Sequence, residues 1–124
     1  MTRPRVLLVD DDEGICDFVR MALHDAGFDV ATAQNGRVAL ELLPSFGPCL
    51  ILLDMRMPQM DGWQFSRAYR ASPGPHVPIV VVTAARDAEQ SAAEIHADAH
   101  LAKPFRVADL IQIVRRLSTE SPRS

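Results

Sequence analysis

The sequence predicts an α/β fold of the doubly wound type: a parallel five-stranded sheet in the order 2-1-3-4-5, sandwiched between helices. Three observations carry this expectation. Strand-like and helix-like segments alternate five times along 124 residues, the length of one ordinary domain. The strand-like segments are unbroken apolar runs, the pattern of strands covered on both faces. Alternation of this kind joins parallel neighbours through right-handed crossovers, and each crossover needs a helix to return the chain.

The elements follow in order. Residues 6–9 are an apolar run, β-branched at both ends, that stops at Asp10-Asp11-Asp12-Glu13. Ile15, Phe18, Val19, Ala22, Leu23 and Ala26 then recur at helical spacing, with Gly27 as a stop. Residues 28–33 alternate weakly as a second strand and Asn35-Gly36 turns the chain. Val38, Ala39, Leu42 and Leu43 mark a second helix, which Pro44 is expected to end. Residues 49–53 are the most apolar run and close on Asp54, ahead of a loop over 55–62. Trp63, Phe65, Ala68 and Tyr69 mark a third helix that Asp61 is placed to cap. Pro73, Gly74, Pro75 and Pro78 break the chain before a β-branched strand, 79–82, that ends in Thr83. Residues 88–95 read as an Ala-rich fourth helix with a weak apolar stripe, and 99–102 as a short fifth strand ahead of Lys103-Pro104. Val107, Leu110, Ile111, Val114 and Leu117 give a last helix. The domain is thus expected over 1–117, with 118–124 a polar tail.

Composition excludes several function classes. At 48% hydrophobic and 23% charged residues with a formal charge of −3, the chain is globular but has no basic field for a phosphate backbone, so direct nucleic-acid binding is not expected. Cys16 and Cys49 lie in apolar stretches without a CxxC spacing. They are expected as core filler in a reducing cytoplasm rather than as a disulfide or zinc site. No signal-peptide pattern and no apolar run of roughly 18 residues is present, so neither export nor a membrane partner is expected. Met55, Met57 and Met60 read as adaptable packing around the loop, and His24, His76 and His96 as surface residues.

Chemistry concentrates at the strand ends. In doubly wound sheets, ligands bind beyond the carboxyl ends of the strands, where the strand order reverses. Those ends carry Asp10 and Asp11, then Asp54, Thr83 and Lys103, and in the order 2-1-3-4-5 their strands are consecutive neighbours. Taken singly, these acids would be ordinary helix-start residues, Thr83 a β-former and Lys103 a surface charge; convergence alters that. Three gathered carboxylates repel at a cost on the order of a few kcal/mol per close pair at an effective dielectric near 20. An all-oxygen donor set of this sort suits a hard cation such as Mg²⁺. A carboxylate beside such an ion is a known type of phosphoryl acceptor. Asp54 is the candidate, since it alone closes the central, most apolar strand, while Lys103 and Thr83 would each engage an oxygen of the transferred group.

These residues resemble the receiver domains of two-component response regulators. The likeness spans 6–117 and rests on four signatures in order: Val-Leu-Leu-Val-Asp10-Asp11, Asp54-Met-Arg-Met-Pro58-Gln-Met-Asp61-Gly62, Val-Val-Val-Thr83-Ala84 and Ala102-Lys103-Pro104-Phe105. It implies a flavodoxin-like (βα)5 sandwich in which Asp54 takes a phosphoryl group from a sensor histidine kinase or phosphotransfer protein. It further implies Mg²⁺ contacts from Asp11, Asp54 and the Arg56 carbonyl, with Asp10 acting through a water. Thr83 becomes the phosphate-sensing hydroxyl, Lys103 the ligand of a phosphoryl oxygen, and the Lys103-Pro104 peptide cis. Such a protein is a signalling module rather than an enzyme, cytoplasmic, a monomer or a phosphorylation-dependent dimer, with output by contact with a downstream protein. The short tail favours a stand-alone receiver.

Departures from the family pattern cluster in one place. His100 holds the position of the family's aromatic switch residue, His96 stands where Gly is expected, and the stretch from Thr83 to Lys103 is a couple of residues short. The fourth helix is therefore expected to be short, shifted or poorly ordered. Two other functions share the architecture. An Asp-nucleophile phosphohydrolase would need a cap or long insert and a DxD spacing after Asp54, and a flavin mononucleotide binder would need a Ser/Thr-Gly phosphate loop after the first strand. The sequence has none of these.

Overall fold

Apolar runs that end abruptly in acids force strands to be buried along their length and open at one end. The computed structural model describes residues 3–119 and bears this out. Its elements are β1 (Arg5–Val9), α1 (Glu13–Asp25), β2 (Asp29–Ala33), α2 (Gly36–Phe46), β3 (Leu50–Leu53), α3 (Gly62–Ala71), β4 (Ile79–Ala84), α4 (Ala85–Glu94), β5 (Ala99–Lys103) and α5 (Val107–Thr119). The sheet runs β2-β1-β3-β4-β5 with every pairing parallel, the expected order.

Because side chains alternate across a strand, each strand feeds two cores. Val6, Leu8, Leu50, Leu52, Val80 and Val82 face Val19 and Leu23 of α1 and Leu110 and Val114 of α5. Leu7, Val9, Ile51, Leu53 and Val81 face Ala39 of α2, Phe65 and Tyr69 of α3, and Ala92 of α4. Residues 6–9 and 50–53 are fully buried, and each large aliphatic side chain so placed stabilises the fold by about 1.5–3 kcal/mol. Cys16 is core filler as expected, with burial pushing its thiol up to about 11.

Four local expectations need correction. Pro44 lies inside α2, which runs on to Phe46 and stops at Gly47 in the left-handed conformation. A proline in the last turn removes one late hydrogen bond, whereas Gly47 supplies the positive φ a helix end needs. Helix α4 is not short: its ten residues begin at Ala85, immediately after β4 and three residues before the stretch read as helical. Helix α5 continues to Thr119, two residues into the stretch read as tail, and 120–124 lie outside the described residues. His76 is half-buried, its ring edge-on to Tyr69 at 4.7 Å and its Nε2 2.9 Å from the Ser72 carbonyl.

Candidate functional site

Parallel pairing carries β1 and β3 to the same level, since Val9 lies opposite Leu53. The residues that follow continue the ladder: the Asp10 amide donates to Ala33 O at 2.9 Å and the Asp54 amide to Val9 O at 2.9 Å. The two carboxylates are thereby fixed by backbone on the same edge. The loop after Asp54 is held just as closely. Gly62 N–H donates to Met55 O at 2.9 Å, and a Cβ on Gly62 would lie 2.8 Å from Asp54 O and 2.7 Å from Met55 Cα. Only glycine permits that approach. Asp61 caps α3 by accepting from Gln64 N–H at 2.9 Å, while Gln64 Oε1 accepts from Asp61 N–H at 3.0 Å. This reciprocal pair was readable from the Asp61-x-x-Gln64 spacing.

Carboxylate oxygens of Asp10, Asp11 and Asp54 lie within 4.8 Å of one another. Lys103, reaching across from β5, puts Nζ 2.7 Å from Asp10 Oδ2 and 3.7 Å from Asp54 Oδ2. Asp54 Oδ1 accepts from Met55 N–H at 2.8 Å, and Asp10 Oδ1 from Asp12 N–H at 3.0 Å. Burial raises the Asp10 carboxyl above the ordinary aspartate value and is opposed by the Lys103 hydrogen bond. For Lys103 burial works downward, but the hydrogen bond and charge of Asp10, aided by Asp54, outweigh it and hold the ammonium above the ordinary lysine value. The opposite winners follow from exposure, since the Lys103 side chain keeps 22% of its surface and that of Asp10 none. Burial thus prevails at Asp10 and the neighbouring carboxylates prevail at Lys103.

Asp10, Asp11, Asp54 and Lys103 therefore assemble as expected. Thr83 is buried one position before the end of β4, in register with Ala102 and next to the Ala84–Lys103 pair. His100 does not join the group: it is exposed on β5, opposite Val81. The Lys103-Pro104 peptide is cis, and His96 adopts φ 55°, the conformation for which glycine is usual.

Other participants escaped the sequence reading. Arg56, singled out for its carbonyl, extends its guanidinium to Asp87 of α4, with Nε 2.7 Å from Oδ2 and Nη2 3.2 Å from Oδ1. It also lies 5.4 Å from the Trp63 ring centroid, and Trp63 Nε1–H donates to Glu94 at 2.8 Å. Both ties span 31 residues, and no local pattern announces them.

The family model for the response regulator receiver domain matches residues 6–115. A response regulator MprA of Mycolicibacterium vanbaalenii is 38% identical over 115 residues, covering 91% of this chain and 49% of the relative. The DNA-binding response regulator MtrA of Mycobacterium tuberculosis is 37% identical, over 91% of this chain and 50% of the relative. The chain thus spans about half the length of these curated relatives. The receiver domain of the Francisella response regulator 1452 superposes with a TM-score of 0.83 at 30% identity, covering 93% of this chain and 96% of that one. With the strand order, the acid-bearing strand ends and the family match all in agreement, the chain belongs to the response regulator receiver domains of two-component signalling.

Proposed function

We propose that the protein accepts a phosphoryl group on Asp54 from a sensor histidine kinase or phosphotransfer protein, in a magnesium-dependent reaction. One observation carries the reading: three carboxylates and one ammonium from three separate strand ends meet, the carboxylate oxygens within 4.8 Å of one another and the ammonium 2.7 Å from Asp10 and 3.7 Å from Asp54. A donor set of oxygens alone, with excess negative charge, fits Mg²⁺. Asp11, Asp54 and the Arg56 carbonyl would hold the ion, and Asp10 would act through a water. When bound, Mg²⁺ supplies positive charge against both the carboxylates and the incoming phosphoryl oxygens.

The chain's own groups divide the rest of the work. Met55 N–H orients the Asp54 carboxylate by holding Oδ1, while Oδ2 faces Lys103. A carboxylate oxygen forms the new bond to phosphorus as the donor's P–N bond breaks, and the electron pair leaves on the imidazole nitrogen. Lys103 holds a transferred oxygen by charge, and Thr83 offers its hydroxyl to another. Asp10, Asp54 and Thr83 are buried, which strengthens their contacts.

MtrA is named a DNA-binding regulator; this chain's share of such a pathway is phosphoryl input and contact with a downstream protein, as monomer or phosphorylation-dependent dimer. Among the described residues no helix is long and apolar enough to cross a membrane, and we place the reaction in the cytoplasm. Acetyl phosphate with Mg²⁺ should give an acid-stable, base-labile adduct on the wild type and none on Asp54→Asn. A wild type left unlabelled under conditions that label another receiver would remove the proposal.

A further inference from the structure

The α4 flank is where this chain departs from its family's pattern, and it is also where side chains tie the acceptor loop to the rest of the fold. Arg56, two residues after Asp54, forms a two-point ion pair with Asp87 in the first turn of α4. Its guanidinium lies over Trp63, at the start of α3, and Trp63 Nε1–H donates to Glu94 at the far end of α4. Glu94 also accepts from Gln90 at 3.3 Å, which steadies it for Trp63. Further along, Arg70 of α3 donates to the His96 carbonyl at 3.1 Å, just past the end of α4. Asp87 is the less exposed partner of the ion pair, at 13% against 61% for Arg56. The Arg56 hydrogen bonds hold the Asp87 carboxyl below its ordinary range, so the pair stays ionic at neutral pH.

Two other features direct attention to this pair. Strand β4 passes into α4 without an intervening residue, and Ala84 offers no side-chain cap, so no slack loop absorbs a movement near Thr83. His100 stands exposed on β5. A displacement of the acceptor loop reaches α4 through Arg56, whose side chain joins the two.

Resting on the phosphoacceptor reading above, we propose that Asp87 is a positioning residue for the acceptor site: through Arg56 it couples the loop after Asp54 to helix α4, so that α4 responds to a phosphoryl group by this ion pair and not through residue 100. The bidentate fork matters because it fixes orientation as well as distance, so a turn of the loop backbone at Arg56 displaces the helix start rather than swivelling about one contact. Trp63 senses the same movement, since it touches Arg56 on its face and α4 through its N–H.

The test uses the full chain with Mg²⁺ and beryllofluoride, read by amide NMR and by the emission of Trp63, the one tryptophan in the sequence. In the wild type, beryllofluoride should shift the amides of Met55, Arg56, Met57, Gln59 and Met60 and those of Ala88 to Glu94, and change the Trp63 emission. In Asp87→Asn the loop amides should still shift, while the α4 shifts and the emission change fall by about two- to five-fold, the size of effect open to a partly exposed ion pair. Glu94→Gln should diminish the emission change more than the loop shifts, and His100→Ala should leave both readouts at wild-type size. Thermal melts of each variant confirm that it is folded. Asp87→Asn with wild-type α4 shifts, or His100→Ala with lost ones, would overturn the coupling alone. A wild-type loop silent to beryllofluoride would instead overturn the phosphoacceptor reading and the coupling together.

Discussion

Strands β1 and β3 lie side by side, and their character reverses within a single residue. Val9 and Leu53 pair in register inside the sheet, both without exposed surface, and Asp10 and Asp54 follow them, almost equally buried but ionisable. The interior gains stability from every methylene it hides, whereas the tips hide charge, which costs free energy unless it is paired. The raised pKa of Asp10, caused first by burial, is that cost made visible. Contiguous stretches of one strand thus serve opposite ends: Val6 to Val9 hold the fold together, and the next residue places a buried ionisable group at its edge.

Substitutions on either side of this boundary should separate the two roles. Asp54→Asn has the largest expected effect, removing adduct formation from acetyl phosphate altogether while leaving the far-ultraviolet dichroism of the fold intact. Leu52→Ala, one layer inward, should do the reverse: it costs about 2–5 kcal/mol in urea unfolding, through lost burial and the cavity left behind, with labelling of the remaining folded protein retained. Magnesium should narrow the gap between tip and interior. At 100 times its dissociation constant, an ion bound only by the native state adds about 2.7 kcal/mol, and EDTA should reverse the gain in melting temperature.

The smallest effect tests the tip's cost directly. Asp10→Asn should stabilise the metal-free protein slightly at neutral pH, since the amide has no charge to desolvate. Because the native pKa of Asp10 is raised, its contribution to stability is present below the ordinary value of 3.8 and lost as pH rises through the native one. The variant's advantage over the wild type should therefore be least in acid and grow as pH rises above that value. An advantage that shrank with pH would show that the Lys103 pairing, and not desolvation, dominates at this position.

Most of the fold was legible before any coordinates, and for an identifiable reason. Apolar runs at 6–9, 50–53 and 79–82 and helical stripes such as Val107, Leu110, Val114 and Leu117 are local patterns, and the parallel order follows from their alternation. The start of α4 was not legible, because Ala85, Arg86 and Asp87 carry no stripe and Ala84 gives no capping signal. Their helical state is fixed by the junction with β4 and by the tie from Arg56. His76 was misread for a similar reason: a histidine in a Pro- and Gly-rich loop has the composition of a surface residue, and Tyr69 encloses it only once α3 has packed.

The candidate site divides along the same line. Asp10, Asp11, Asp54, Thr83 and Lys103 were each found by their place at the end of a strand, a position that local sequence marks. That Lys103 bonds Asp10 across 93 residues, and that Arg56 turns to Asp87 rather than to solvent, could be settled only by the folded chain. By itself the sequence determined which elements form, in what order, and which chemical groups stand at their ends, since periodicity and chain punctuation act over a few residues. Tertiary structure decided which of those groups touch and what lies behind them, because contacts at 2.7 Å depend on the packing of segments that the chain separates by dozens of residues.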